Sequence, residues 1–398
     1  MPSIDIRRLI HDTAFVSEPF LRKYKKEDYP VSIEVKECSD FARLPDHPDV
    51  SVVVLAYNCA PYLEECIQSI CMQEMGSGKL EIIISEDGST DATLPVAFSL
   101  QRRYPDMIRV IYANANVGLI KNFCRVFDFC RGRYIAYTDG DDYFCDRRKI
   151  QKQVAYLHSN PDVAMIYTGA AYQVGRHRLF RARLTKRTSE RLMRMNNHSV
   201  KDFALSLFRK DPITANTPMF KHEVMSEAVQ KIKGLFNLVE WFPCQDFEAY
   251  FYIATLGKVR FIADTTAVHR IYGESQSGTC NDLIAVARYL GDLRVKLAMI
   301  EQDCDYFPDS VKVWAVIGFI SRLLQYLALT NQHSLLTPYV KGVATAFRDK
   351  LSRNMVRFLD VGDGALAHEF IRERSCEKKR QTLIYYVFKS LALNVLRM

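Results

Sequence analysis

Three carboxylates lie within four residues at Asp139-Gly140-Asp141-Asp142. Negative charge packed this closely is unfavourable unless water or a cation neutralises it, and Gly140 lets the backbone turn tightly between the acids. Hard oxygen donors in small number suit Mg²⁺ or Mn²⁺, with the remaining positions left to water and to phosphate oxygens of a substrate. The alternative is a solvated acidic turn that caps the following helix, helped by Asp146. Asp87, in Glu86-Asp87-Gly88-Ser89-Thr90-Asp91, and Asp246, ahead of the apolar segment Ala249 to Leu256, are the other acids placed to do chemistry. Both also have a plain reading as helix caps.

The segments around these acids alternate in a regular way. Val50 to Tyr57 is a continuous apolar run, as a buried parallel strand requires. Pro61 to Gln73 follows with a helical period, carrying Leu63, Ile67, Ile70 and Cys71 on one side. Leu80 to Ser85 is a second strand and Leu94 to Arg103 a helix. Ile108 to Tyr112 is a third strand, and Asn116 to Phe129 a helix entered through Gly118. Tyr134 to Tyr137, aromatic and β-branched, is the strand that ends in the acidic turn. Arg147 to Leu157 reads as a helix and Val163 to Thr168 as a strand. This β-α-β-α order predicts an α/β fold with a mostly parallel sheet and helices on both faces. In such sheets ligands bind beyond the carboxyl ends of the strands, where the three acids fall.

Composition sets outer bounds. The chain has 398 residues, ordinary apolar and charged fractions and a formal net charge of +8. A moderately basic balance fits an anionic substrate or a membrane surface and does not by itself indicate nucleic acid. No repeat or low-complexity tract appears, which excludes solenoids and fibres. Eleven cysteines are scattered without a C-x-x-C pair, so reduced thiols in a cytoplasmic protein are expected rather than zinc or redox motifs. No uncharged apolar stretch reaches the length of a spanning helix; Val311 to Thr330 is interrupted by Lys312 and Arg322.

Taken in order, the motifs resemble those of glycosyltransferase family 2, whose members have the GT-A nucleotide-diphospho-sugar-binding fold. The resemblance rests on Val52-Val53-Val54-Leu55-Ala56-Tyr57-Asn58, Pro61-Tyr62-Leu63, Ser69-Ile70 with Gln73, and Glu81-Ile82-Ile83-Ile84 leading into Glu86 to Asp91. Asn116-x-Gly118 with Asn122 and the acidic cluster complete it, over roughly residues 50–275. Its look-alikes are bacterial enzymes that read Glu-Gly-Asp-Asp-Tyr-Trp, where this chain has Asp139 and Phe144. The resemblance implies an inverting transferase that moves a sugar from a nucleotide-diphosphate donor, a UDP-sugar, to a hydroxyl of a glycan or lipid-linked acceptor. The implied setting is surface polysaccharide or lipopolysaccharide assembly at the cytoplasmic face of the membrane, as a peripheral protein. Asp139, Asp141 and Asp142 become the ligands of Mg²⁺ or Mn²⁺. Ala56, Tyr57, Asn58, Asp87, Gly88, Ser89, Gly118, Lys121, Asn122, Asp139, Gly140 and Arg270 become donor contacts. Asp87 would accept from a uracil imide or ribose hydroxyl, Gly88-Ser89 would admit the nucleotide, and Lys121 would offset phosphate charge.

In the look-alikes a Gly-Asp-Trp element supplies the catalytic base. Asp246 with Phe247 matches it, with Gln245 in place of the glycine and Glu248 as the fallback. The same enzymes commonly read Tyr-Arg-x-His where this chain has His269-Arg270-Ile271-Tyr272, so the aromatic and imidazole positions are exchanged. Three residues apart on a strand place them on opposite faces, and His269 is not expected on the diphosphate side. The basic run Arg176 to Arg194 reads as a mobile loop or as a flap over an anionic acceptor. Asn216 to Phe220 resembles the strand facing the acceptor. The expected domains are an arm over 1–48, a GT-A domain over 49–280 and a helical region over 281–398. A nucleotidyltransferase and a non-catalytic scaffold are the rival functions.

Overall fold

A computed structural model of the chain describes residues 6–13, 34–174, 178–180, 186–209, 211–239, 242–244, 246–272 and 282–329. The chain forms two compact units, residues 22–234 with 244–278, and residues 1–21 with 235–243 and 279–398. The strands are β1 (Val35–Cys38), β2 (Val50–Ala56), β3 (Leu80–Glu86), β4 (Ile108–Ala113), β5 (Tyr134–Asp139), β6 (Tyr143–Phe144), β7 (Val163–Val174), β8 (Arg178–Phe180), β9 (Met219–Lys221) and β10 (Lys258–Ile271). The α-helices are α1 (Ile6–Asp12), α2 (Ala60–Cys71), α3 (Thr93–Arg103), α4 (Leu119–Val126), α5 (Lys149–Ser159), α6 (Lys186–Met195), α7 (Val200–Arg209), α8 (His222–Leu235), α9 (Asp246–Leu256), α10 (Asp282–Gln302) and α11 (Asp309–Leu329).

Among the described residues all ten strands join one sheet in the order β1-β4-β3-β2-β5-β9-β7-β10-β6, with β8 beside β7. Its long ladders, β2 with β3 and β5, β3 with β4, and β7 with β10, are parallel. The antiparallel ladders are short. Every residue of β2 is buried, Ser51 included, as a strand covered on both faces requires. In α2, Leu63, Cys66, Ile67 and Ile70 repeat at helical spacing and all are buried.

From β2 the chain moves outward through β3 and β4, then returns to lay β5 on the other side of β2. That reversal opens a crevice beyond the carboxyl ends of β2 and β5, the position at which open α/β sheets bind ligands. Leu55 pairs with Asp139 there, and the Gly140 N–H donates to the Leu55 carbonyl at 2.8 Å. A Cβ on Gly140 would stand 2.7 Å from the Cys59 Sγ, so only glycine lets the acidic turn pack this closely on the loop after β2.

Several elements differ from the sequence reading. Val35–Cys38, expected in a separate arm, is an edge strand antiparallel to β4. The basic run holds β8 and α6, with Leu192 buried, rather than a loop throughout; Arg176, Arg181 and Arg183 lie outside the described residues. The strand predicted to end at Thr168 continues to Val174, because Ala170 and Ala171 keep both sides packed. Helices α10 and α11 fall in the region expected to be helical after residue 281, while 330–398, including Lys378-Lys379-Arg380 and the tail after Leu383, lie outside the described residues. Among the described residues no helix is long and apolar enough to cross a membrane.

Lys149, fully buried at the start of α5, donates to the Gln153 Oε1 at 2.6 Å and the Thr217 carbonyl at 3.1 Å. Burial pushes its pKa down from the ordinary 10.5 to about 7. Above pH 7 the unfolded chain therefore carries a proton at Lys149 that the folded chain has released, and this group alone contributes a rise in stability of about 1.4 kcal/mol per pH unit. The buried thiols of Cys59 and Cys124, raised to about 12, oppose this at higher pH. Denaturant titrations at pH 7.0 and 8.5 isolate this group when run on the wild-type chain and Lys149→Met together. The wild-type change in stability between the two pH values is expected to exceed that of the variant by about 2 kcal/mol, because the other titrating groups act equally in both.

Candidate active site

The acidic turn gathers one ligand oxygen from each of Asp139, Asp141 and Asp142 within 4.8 Å of one another. Asp139 and Asp141 are partly exposed, whereas Asp142 is fully buried. Burial, then the neighbouring carboxylates of Asp141 and Asp142, push the Asp139 carboxyl well above its usual range. Like charges held this close are relieved by a cation, and an all-oxygen donor set fits Mg²⁺ or Mn²⁺.

Asp142 is tied from three sides. Its Oδ2 accepts from the His269 Nδ1 at 2.9 Å and the Asn216 Nδ2 at 3.0 Å, and its Oδ1 accepts from the Arg270 N–H at 2.8 Å. Burial raises its carboxyl, and the His269 contact only partly offsets this. Burial would lower the imidazole, but Asp142 with Asp139 and Asp141 holds it up at about 9. Asp142 thus anchors the turn, and Asp139 and Asp141 are the carboxylates left at the surface. Asn216, quoted in the sequence only as part of a strand, is one of these anchors.

His269 and Tyr272 both reach the turn, contrary to the opposite-face expectation. Strand β10 ends at Ile271, so Tyr272 has left the strand alternation, and its Oη donates to the Asp141 Oδ2 at 2.8 Å. Arg270, expected on a phosphate, is only 5 % exposed. Its guanidinium donates to the Asp141 carbonyl, pairs with Glu65 and stacks on Tyr62 and Tyr143 at 5.2 and 4.6 Å. Those contacts commit it to holding the turn rather than to a diphosphate.

Beside the turn, the loops after β2 and β3 are laced together. Asn58 donates its N–H to the Ser89 Oγ at 3.0 Å and accepts from the Thr90 N–H at 2.8 Å. The Ala56 carbonyl takes the Asp87 N–H, and Tyr57 is left 42 % exposed at the crevice edge. Asp87 is nearly buried and accepts from the Val117 and Gly118 N–H groups, each at 3.0 Å. Burial raises its carboxyl against those bonds and against Arg125, 3.7 Å away. Asp87 is therefore a clamp on the loop before α4 rather than a bare acceptor for a base. Gly88 has a positive φ of 65°, and a Cβ there would meet the Asn116 N at 2.5 Å. The close approach that requires this glycine is to protein backbone, where the sequence suggested a nucleotide. Asn122 is buried too, exchanging hydrogen bonds with Ser85, while Lys121 is exposed.

Asp246 opens α9 and is partly exposed. Its carboxylate is near enough to Asp139, Tyr137 and Tyr250 for its charge to raise all three. Glu248 is fully buried two residues on, and Gln245 lies outside the described residues. Asp246 thus lies within electrostatic reach of an acidic, cation-fitting turn, and Tyr57 exposes its ring in the loop after β2.

Residues 51–215 match the family model described as glycosyl transferase family 2. Bacillus subtilis EpsE, named as a glycosyltransferase, is 37 % identical over 122 residues, 31 % of this chain and 43 % of its own. A Mycobacterium tuberculosis protein is 36 % identical over 118 residues, 30 % of this chain and 34 % of its own. Escherichia coli chondroitin synthase is 29 % identical over 143 residues, 36 % of this chain and 20 % of its own. The chain thus spans less than half the length of these relatives. The solved structure of S. aureus TarS 1–349 with UDP-GlcNAc superposes with a TM-score of 0.51 at 14 % identity, covering 82 % of this chain and 90 % of that one, a likeness of fold. Residues 51–215 are thus similar to glycosyltransferase family 2, and the chain has the GT-A fold.

Proposed function

We propose that the protein is an inverting glycosyltransferase that moves a sugar from a UDP-sugar to a hydroxyl of a glycan or lipid-linked acceptor in surface-polysaccharide synthesis. The observation that carries this reading is the carboxylate turn at the β2–β5 crevice together with Asp246, whose charge reaches Asp139. Asp139 and Asp141, on the Asp142 anchor, hold Mg²⁺ or Mn²⁺; bound there, the cation neutralises charge on the departing diphosphate. Tyr57 presents its ring to the nucleotide, and Asn58 with Ser89 fixes the loop beneath it. Asp246 takes the proton of the acceptor hydroxyl. The new bond forms at the anomeric carbon opposite the bond to the diphosphate, which leaves with its electron pair as UDP, and the configuration inverts. The TarS fragment of the same fold was solved with UDP-GlcNAc, which favours a UDP-sugar among the donors to try first.

Donors are hydrolysed slowly by many transferases, so UDP release needs no knowledge of the acceptor. Release from one sugar of a UDP-sugar panel, raised by Mn²⁺ and abolished by EDTA, is expected. Pyrophosphate formation from a nucleoside triphosphate and a sugar phosphate would instead identify a nucleotidyltransferase. Neither reaction, with no nucleotide bound, would leave the scaffold reading.

A further inference from the structure

We propose that Tyr272 is a positioning residue for the cation site: it fixes the Asp141 carboxylate through a hydrogen bond and ligates nothing itself. The inference rests on the cation reading of the acidic turn given above. Four groups form a continuous column beside the turn. The Tyr272 ring stacks on Tyr62, with centroids 5.3 Å apart and planes at 29°. Tyr62 lies in the first turn of α2 and takes the Arg270 guanidinium at 5.2 Å, and the same guanidinium lies 4.6 Å from the Tyr143 centroid.

The two ends of Asp141 are held by two members of that column. Arg270 donates to its main-chain carbonyl, and Tyr272 donates to its Oδ2 at 2.8 Å. A carboxylate bonded at one oxygen cannot rotate freely, so its other oxygen meets a cation in a defined orientation. Asp142, by contrast, is held by His269, Asn216 and the Arg270 N–H, so the two neighbouring acids have separate supports. Outer partners of this kind typically change metal affinity or activity by about 10- to 100-fold when removed.

The test is Mn²⁺ binding to the full chain without nucleotide, read from the electron paramagnetic resonance signal of free Mn²⁺, with a thermal melt in EDTA alongside. Tyr272→Phe keeps the ring and its stack and removes only the donor. Its Mn²⁺ dissociation constant is expected to rise about 10- to 100-fold, with the EDTA melt unchanged. Tyr62→Leu keeps the phenol but removes the ring that holds it, and a smaller rise is expected there. Wild-type affinity in both variants overturns the proposal while leaving the cation reading intact. A lowered melt with unchanged affinity assigns Tyr272 to stability alone and also overturns it. No Mn²⁺ binding by the wild-type chain removes the cation reading, and this inference with it.

Discussion

Asp246→Asn is expected to lower sugar transfer by about 10²–10⁴-fold, the usual contribution of a positioned general base. That loss corresponds to about 3–5 kcal/mol of transition-state stabilisation. The amide keeps the size and the hydrogen-bonding edge of the side chain but cannot take the acceptor proton. Donor affinity is expected to stay at the wild-type level, because the residue acts on the acceptor and its charge only brushes Asp139. Steady-state transfer, with UDP affinity measured in parallel, separates the two effects. Transfer near the wild-type rate would reduce Asp246 to an acid at a helix N-terminus. Glu248 is no substitute, since its carboxylate is buried in the α9 interior.

The second large effect lies at the opposite end of the strands. Glu81 is fully buried at the second position of β3 and accepts from the Ser51 Oγ at 2.6 Å, the Arg131 N–H at 2.8 Å and the Arg131 guanidinium at 2.7 and 2.9 Å. Arg109, 4 % exposed, adds a bond at 3.1 Å and reaches Glu37 and the Phe129 carbonyl with its other donors. Glu81→Ala leaves buried guanidinium charge without its main counter-ion, a change that typically costs about 3–5 kcal/mol. The guanidinium chloride midpoint of the variant is expected to fall accordingly. A loss under about 1 kcal/mol, the scale of an exposed pair, would mean that Glu37 and water compensate.

Much of this architecture was legible in the residues. Predominantly apolar runs such as Val50 to Ala56, broken only by Ser51, read as strands covered on both sides, and their alternation with helical periods predicts a parallel core. The acidic turn followed from three carboxylates and a glycine at a strand end. What escaped is where side chains point once strands stop. Period-two reasoning placed His269 and Tyr272 on opposite faces, but β10 ends between them and both reach the acids. The family resemblance makes Asp87, Gly88 and Asn122 nucleotide contacts; here they close loops and neighbouring elements on one another. Arg270 looked like a phosphate ligand because its partners, Glu65, Tyr62 and Tyr143, come from separate segments that only the fold brings together. Glu81 and Lys149 are hidden for the same reason: nothing local marks a charge as buried. The basic run from 176 to 194 lacked apolar periodicity, so one buried residue, Leu192, was too little to announce α6.

The central claim is that the turn at Asp139, Asp141 and Asp142 holds a nucleotide diphosphate through a divalent cation. Calorimetric titration of UDP into the full chain, with Mn²⁺ and then with EDTA, tests it most directly when repeated with Asp141→Asn. The account predicts UDP binding that requires Mn²⁺ and is weakened by Asp141→Asn. UDP binding of equal strength in EDTA, or unaltered by the substitution, would contradict it.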